Sequence, residues 1–193
     1  MTIREKAAMM KLDSSKMAST DIAVRNAALE KIAESLLAGK ERIFEANAKD
    51  MERAQADNIL PALIKRLKFS EAKLSDAIAG IHNLIALPDP LFRIQLKRQL
   101  DEGLTLVRET CPIGVIGVIF EARPDALVQI SSLCIKSGNC AILKGGRETT
   151  YTNRILFQVI HDSIIDAGLP ADCMLQAEQH SEIDELLSCH ETV

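Results

Sequence analysis

The chain has 193 residues, of which 47% are hydrophobic and 26% are charged. This composition is typical of a globular protein with a sizeable core and argues against a disordered chain. The net charge is −4 and only 3% of the residues are aromatic, so we expect neither the basic field nor the stacking platforms of a nucleic-acid-binding protein. No apolar run approaches the roughly 18 residues that a membrane span requires, and we expect a cytoplasmic protein without membrane contacts.

Five cysteines, at positions 111, 134, 140, 173 and 189, form no CxxC pair and are odd in number. Their spacing therefore indicates neither a zinc site nor a disulfide framework. We expect reduced thiols, most of them buried, and no metal site.

Residues 1–90 are predicted to be almost entirely helical, because apolar positions recur at helical spacing between start and stop signals. The predicted helices are, in chain order, 3–12, a second from Ser19 or Thr20 to Gly39, a third from Lys40 to near Asp57, a short fourth from Pro61, and a fifth from Ser70 to Leu87. Gly39 is expected to take the left-handed conformation that ends many helices. Pro88 ends the last helix because it lacks an N–H group and restricts the residue before it.

Two segments after residue 90 carry different strand patterns. Residues 104–110 alternate between apolar and polar side chains, as in a half-exposed strand. Residues 113–120 are continuously apolar, and such a run is typical of a strand buried on both faces at the centre of a parallel sheet.

The chain then alternates between helices and strands. The predicted elements are a helix from Pro124 to Ser137, a strand over 140–143, a turn at Gly145 and Gly146, a helix from Thr149 or Thr150 to Gly168, a strand over 173–177, and a helix capped by Ser181 with Asp184 as its acidic partner. This order favours an α/β fold with right-handed crossovers and a parallel sheet in three layers, with ligands at the carboxyl ends of the strands. Such sheets usually have more strands, so we expect a truncated sheet.

A lysine and a glycine pair lie at the carboxyl end of the strand predicted over 140–143. Lys144 is suited to ribose hydroxyls or phosphate, and Glu148 can accept a hydrogen bond from a hydroxyl. The glycines between them, Gly145 and Gly146, admit a close backbone. This is where nucleotides bind to parallel sheets; the alternative is a lysine that points to solvent.

A second polar segment follows the apolar strand at the same predicted sheet edge. Arg123 is suited to a carboxylate or phosphate group. Equally, Asp125 can cap the following helix while Arg123 pairs with Glu121, and the spacing does not choose between these readings.

Residues 111–124 and 137–146 closely resemble gamma-glutamyl phosphate reductase, the glutamate-5-semialdehyde dehydrogenase of the aldehyde dehydrogenase superfamily. The resemblance continues at 45–50, 87–90 and 101–104, so it covers essentially the whole chain in the family's order.

The resemblance implies an aldehyde dehydrogenase-like fold and the amino-terminal part of the enzyme only. Residues 1–193 would then belong to a Rossmann-like NADP-binding domain. Its parts would be a helical region at 1–90, a β-arm for oligomerisation at 100–112 and βαβ units at 113–193, with the catalytic domain lying outside the chain.

The resemblance also assigns cofactor-binding positions. Lys144 matches the lysine that binds the adenosine ribose, Glu148 resembles a ribose-binding glutamate, and Ile119 and Phe120 match residues that lie along the cofactor. The residues expected to bind NADPH are Ile119, Phe120, Lys144, Gly145, Gly146, Arg147 and Glu148. Arg147 is expected to favour NADPH over NADH through the 2′-phosphate, and Arg123 is expected to bind the substrate.

The activity implied by the resemblance is the NADPH-dependent reduction of L-glutamate 5-phosphate to L-glutamate 5-semialdehyde in proline biosynthesis, through a cysteine thioester. The family's nucleophile lies in the catalytic domain, and Cys189 resembles it only superficially, so we expect no catalytic residue in this chain. We therefore expect a homo-oligomeric enzyme by family, inactive as this part alone. The alternative is a non-catalytic nucleotide-binding or interaction module.

Overall fold

The computed structural model of the chain describes residues 2–179 and 181–193. Its α-helices are α1 (Ile3–Ser19), α2 (Ile22–Ala38), α3 (Lys40–Ala56), α4 (Pro61–Leu67), α5 (Glu71–Ala86), α6 (Pro124–Lys136), α7 (Thr150–Asp166) and α8 (Ser181–Leu187). Its strands are β1 (Ile94–Asp101), β2 (Leu104–Glu109), β3 (Val115–Ile119), β4 (Cys140–Lys144) and β5 (Met174–Ala177). Within these ranges, none of the helices combines the length and hydrophobicity needed to span a bilayer.

The first two helices differ from the prediction at their boundary. Helix α1 continues to Ser19 instead of ending at residue 12, and Asp21 caps α2, where Ser19 or Thr20 was expected. The hydroxyls of Ser19 and Thr20 both donate to the Lys16 carbonyl at 2.9 Å and so help to end α1. The Asp21 carboxylate instead accepts a hydrogen bond from the first turn of α2 at 2.7 Å, in the position that a capping side chain occupies.

Gly39 separates α2 from α3, but it does so without the left-handed backbone that was expected. Its φ angle is −88°, which other residues also adopt. A Cβ atom at this position would lie 3.1 Å from the Ser35 carbonyl oxygen. The glycine therefore serves close packing at the junction of the two helices.

Strands β1 and β2 form an antiparallel hairpin. The sequence predicted only β2, and it predicted a half-exposed strand, whereas every residue of both strands is exposed. Leu100 and Leu104 are 55% and 56% exposed. Leucines and arginines share one face of the hairpin in this register, and the described residues leave those leucines uncovered.

The parallel sheet has the strand order β3-β4-β5. Strand β4 lies at its centre and is buried along its whole length. The expectation that residues 113–120 form the central strand is wrong for this chain: β3 lies at an edge, and Val115 is 4% exposed while Ile119 is 50% exposed. An apolar run indicates that a strand can be covered, but it does not specify which strands lie beside it.

Helices pack on this sheet from the whole length of the chain. Helix α1 contacts β3 and β4, α6 contacts β4, α7 contacts β5, and α2 packs against α5, α6 and α7. One core cluster joins apolar side chains of these helices to those of the sheet. The predicted α/β class, with a helical region followed by a parallel sheet, is confirmed.

The last helix begins differently from the prediction. Ser181 is its first residue and not its cap. The carboxylate of Glu182 accepts hydrogen bonds from the N–H groups of Glu178 at 2.8 Å and Gln179 at 2.6 Å, which precede the helix. The longer glutamate side chain near the helix start can fold back to the preceding backbone.

Candidate functional site

The seven residues predicted to bind the cofactor all line one cavity of about 490 Å³ at the carboxyl edge of the parallel sheet. Glu121, Glu178 and Ile183 also line this cavity, although the sequence did not assign them to the cofactor. Glu121 and Glu178 follow β3 and β5 closely, as Gly145 follows β4. Applying the rule of strand carboxyl ends to β5 as well would have found Glu178.

Lys144 is the last residue of β4 and lies between Ile119 of β3 and Ala177 of β5 in the strand register. It is only 6% exposed, so the alternative of a lysine that points to solvent is wrong. Its Nζ atom donates to the Gly145 carbonyl at 2.6 Å. An ammonium group carries three N–H donors, so Lys144 retains the capacity to donate to a hydroxyl in the cavity.

The turn after β4 requires glycine for space. A Cβ atom at Gly145 would overlap the Nδ2 atom of Asn153, and one at Gly146 would overlap the carboxylate of Glu148. Neither glycine has a positive φ. The pair therefore allows α7 and the Glu148 side chain to approach the turn.

Glu148 lies in the single 3-10 turn that leads into α7. Its Oε2 atom is buried and has no hydrogen-bond partner among the described residues. Buried polar atoms in proteins are nearly always hydrogen-bonded, so this oxygen is suited to accept from a hydroxyl of a bound molecule. The ribose-binding role of Glu148 stays a prediction.

Helix α3 holds the start of α7 through a buried carboxylate. Asp50 is 0% exposed and accepts hydrogen bonds from the Tyr151 N–H at 3.2 Å and from the N–H and hydroxyl of Thr152, both at 2.7 Å. Asn47, one turn earlier on α3, donates to the same hydroxyl at 3.2 Å. These bonds satisfy free N–H groups at the N-terminus of α7, where negative charge is also favoured by the helix dipole.

Arg53 extends this contact to the cofactor turn. Its Nη2 atom donates to the Arg147 carbonyl, and its guanidinium lies 5.2 Å from the centre of the Tyr151 ring. The Arg147 side chain is exposed. Arg53 could not be predicted from the sequence, because one arginine on an amphipathic helix gives no sign that it reaches a turn 94 positions away.

The structure does not bring Arg123 to the cofactor cavity. Its guanidinium donates to the Asp125 carboxylate at 2.8 Å, and its side chain is 59% exposed. The alternative in which Arg123 pairs with Glu121 is therefore wrong, and the N-cap residue of α6 is Arg123, whose side chain makes no capping bond. The other Asp125 oxygen lies 3.6 Å from the Lys73 ammonium. The substrate-binding role of Arg123 stays a prediction.

Four of the cysteines are buried. Burial raises the pKa of the Cys134 thiol to about 11 and that of Cys140 to about 12, and it also raises the pKa of Cys173. Cys189 is 5% exposed, and its Sγ atom donates to a backbone carbonyl at 3.2 Å. Buried thiols held in the protonated form are poor nucleophiles.

No protein-family model matches the chain. The chain is 49% identical to the gamma-glutamyl phosphate reductase of Ruminiclostridium cellulolyticum and 50% identical to that of Pelotomaculum thermopropionicum. Each match extends over 187 residues, which are 97% of this chain and 43% of the relative. The chain is homologous to gamma-glutamyl phosphate reductase. It spans less than half the length of these curated relatives.

Solved structures agree with this relationship. The gamma-glutamyl phosphate reductase of Thermotoga maritima matches the whole chain with a TM-score of 0.95 and 27% identity, over 47% of its own length. That of Saccharomyces cerevisiae matches it with a TM-score of 0.94 and 33% identity, over 50% of its length. A methylmalonate-semialdehyde dehydrogenase from Oceanimonas doudoroffii, at 18% identity and a TM-score of 0.72, shares the fold. The resemblance to gamma-glutamyl phosphate reductase and to the aldehyde dehydrogenase fold is confirmed.

Proposed function

We propose that this chain forms the cofactor-binding part of a cytoplasmic enzyme that reduces L-glutamate 5-phosphate to L-glutamate 5-semialdehyde with NADPH, in proline biosynthesis. The observation that carries the proposal is the cavity of about 490 Å³ at the carboxyl edge of the sheet. It gathers the residues at the family's expected cofactor positions in a homologue of gamma-glutamyl phosphate reductase.

The side chains of the cavity fit a dinucleotide. The buried Lys144 ammonium donates to the adenosine ribose, and the unpaired Oε2 atom of Glu148 accepts from a ribose hydroxyl. Ile119 and Phe120 supply an apolar wall, and the two glycines keep the turn free of side chains. When bound, NADPH supplies the hydride of the reduction.

Arg123 binds the carboxylate or phosphate of the substrate in this proposal. The guanidinium now pairs with Asp125, whose other oxygen has a second cation in Lys73. Because Lys73 continues to compensate the charge of Asp125, Arg123 can turn to an anionic substrate at a lower electrostatic cost.

In this proposal the β1–β2 hairpin mediates assembly into a homo-oligomer. The hairpin overlaps the predicted arm region at 100–112 and begins before it, at Ile94. Its exposed leucines favour burial against another copy of the protein. Regions 1–90 and 113–193 then form the helical and βαβ parts of one cofactor domain.

The nucleophile of the reaction is not assigned to any cysteine of this chain. The four buried thiols equally suit a nucleotide-binding module without chemistry of its own. The two functions are separated by an assay of phosphate-dependent NADP reduction with glutamate 5-semialdehyde, run on this chain alone and on the chain joined to the remaining part of a homologous reductase. The cofactor-binding part of an enzyme should give turnover in the joined form, and a non-catalytic module should not. We expect no turnover from this chain alone; turnover that disappears in Cys189→Ser would contradict the assignment.

Replacing Lys144 tests the cofactor site. The chain has no tryptophan, so NADPH binding can be followed through the fluorescence of the cofactor itself. We expect Lys144→Ala to weaken binding by about 10- to 100-fold, since a hydrogen bond from a charged group contributes roughly 1.5–3 kcal/mol. Lys97→Ala, on the exposed hairpin, is the matched control and should bind normally. Unchanged affinity in a folded Lys144→Ala chain would contradict the proposed site.

A further inference from the structure

A second cavity, of about 790 Å³, adjoins the cofactor cavity, and Arg147 and Glu148 line both. Its other wall is formed by the end of α3 and the segment that leads into α4, including Arg53, Asp57 and Leu60. The two cavities therefore lie on either side of the turn that follows β4. A single ligand bound at that turn can place different groups in each of them.

Arg53 lines the second cavity with its guanidinium restrained on three sides. One nitrogen, Nη2, donates to the Arg147 carbonyl and lies 3.5 Å from the Asp50 carboxylate, while the Tyr151 ring lies 5.2 Å away. The Nε and Nη1 atoms have no hydrogen-bond partner in the described part of the chain. Since a guanidinium carries five N–H donors, Arg53 is held in place while donors remain for an anion.

We propose that Arg53 and Arg147 form a phosphate-binding subsite in the second cavity, which takes the 2′-phosphate of NADPH. This rests on the proposed function, because it requires the adenosine ribose to lie at Lys144 and Glu148. A phosphate on the ribose is one ester bond away from the hydroxyls, and Glu148 borders the cavity that holds both arginines. Two guanidinium groups match the charge and paired acceptors of a phosphate, and an arginine near the ribose is a general solution for NADP.

Two carboxylates border the same cavity and oppose an anion. Glu148 is occupied by a ribose hydroxyl in this arrangement, whereas Asp57 is an exposed residue at the end of α3 without such a role. The Asp57 charge is therefore expected to weaken phosphate binding through a screened repulsion. Asp57→Asn should strengthen NADPH binding by about two- to threefold and leave NADH binding unchanged.

The test compares the dissociation constants of NADPH and NADH for the same chain. In Arg53→Gln we expect NADPH binding to weaken about tenfold or more and NADH binding to change little, with partial recovery in Arg53→Lys. Arg147→Gln alters an exposed side chain and should also raise the ratio of the NADPH to the NADH dissociation constant, without a risk to folding. Arg42→Gln, an exposed position on the same helix, is the control and should leave the ratio unchanged.

Adenosine 2′,5′-bisphosphate serves as a fragment probe for the subsite. It should compete with NADPH more strongly than ADP does in the unaltered chain, and this advantage should disappear in Arg53→Gln.

An equal loss of NADPH and NADH binding in Arg53→Gln would show that Arg53 only holds the turn through the Arg147 carbonyl, and it would overturn the subsite. An unchanged ratio in both arginine variants would do the same. If the unaltered chain bound neither cofactor, the proposed function itself would fail, and the subsite with it.

Discussion

The β1–β2 hairpin and the central strand β4 of the parallel sheet both carry apolar side chains, yet they lie in opposite environments. Every residue of the hairpin strands is exposed, and every residue of β4 is buried. A two-stranded hairpin is at best marginally stable by itself in water, whereas β4 is paired on both edges and covered by helices. The apolar pattern thus predicts a strand, while its neighbours decide how much the strand contributes to stability.

Matched leucine replacements give the largest expected difference between the two regions. Leu143 of β4 is 0% exposed, and its replacement by alanine should lower the free energy of unfolding by about 2–5 kcal/mol, because a buried leucine leaves a cavity. Leu104→Ala in the hairpin should cost less than about 0.5 kcal/mol. Urea unfolding followed by circular dichroism measures both. Similar losses would mean that the hairpin contributes to the core stability of this chain.

The sequence predicted strand β4 of the buried sheet but not strand β1 of the exposed hairpin. Strand β1 was missed because the adjacent Lys97 and Arg98 interrupt its alternation, and the pairing with β2 contains register irregularities near both ends. Strand β4 was predicted because its apolar run lies between clear glycine signals. Its central place in the sheet could not be predicted, since the order of strands depends on contacts between distant segments.

Some residues of the candidate site could be predicted from the sequence, and others depend on how distant elements pack together. The positions near Lys144 follow from the alternation of strands and helices along the chain, because parallel strands bring their carboxyl ends to one edge of a sheet. Arg53 depends on how α3 packs against α7, and its spacing on the helix is that of an ordinary exposed residue. Asp50 is equally hidden in the sequence, although it is fully buried in the structure.

The buried core and the exposed hairpin can also be compared through one carboxylate in each, Asp50 and Asp101. Asp50→Asn loses acceptor capacity for the N-terminus of α7, and we expect a loss of about 1.5–3 kcal/mol, the range for hydrogen bonds to charged groups. The matched change in the hairpin is Asp101→Asn, whose carboxylate accepts one exposed bond from Glu102 and should contribute less than about 0.5 kcal/mol. Urea unfolding of both variants tests this order, and a larger effect in the hairpin would contradict it.

Alkaline pH should weaken the sheet through its buried thiols. Burial raises the pKa of Cys140 from 9.0 to about 12, so the folded state keeps a proton that the unfolded state loses above pH 9. This contribution is complete below pH 9 and is lost as the pH rises toward 12. At pH 10 the Cys140 contribution should have fallen by about 1 kcal/mol. In Cys140→Ala, the free energy of unfolding should therefore decline less steeply between pH 8 and 10. Cys111 is exposed, and Cys111→Ala should show the same decline as the unaltered chain.

Thiol labelling gives the smallest expected effect, because it compares accessibility without a change in stability. Cys111 follows the hairpin and is exposed, whereas the four other cysteines are buried. Reaction of the folded chain with an aromatic disulfide reagent at neutral pH should release one equivalent rapidly, and five after unfolding in urea, since a buried thiol is not accessible to the reagent. Cys111→Ser should abolish the rapid phase and Cys140→Ser should preserve it. Rapid labelling that survives in Cys111→Ser would mean that the core opens near another cysteine, and the contrast between the exposed hairpin and the closed sheet would no longer hold.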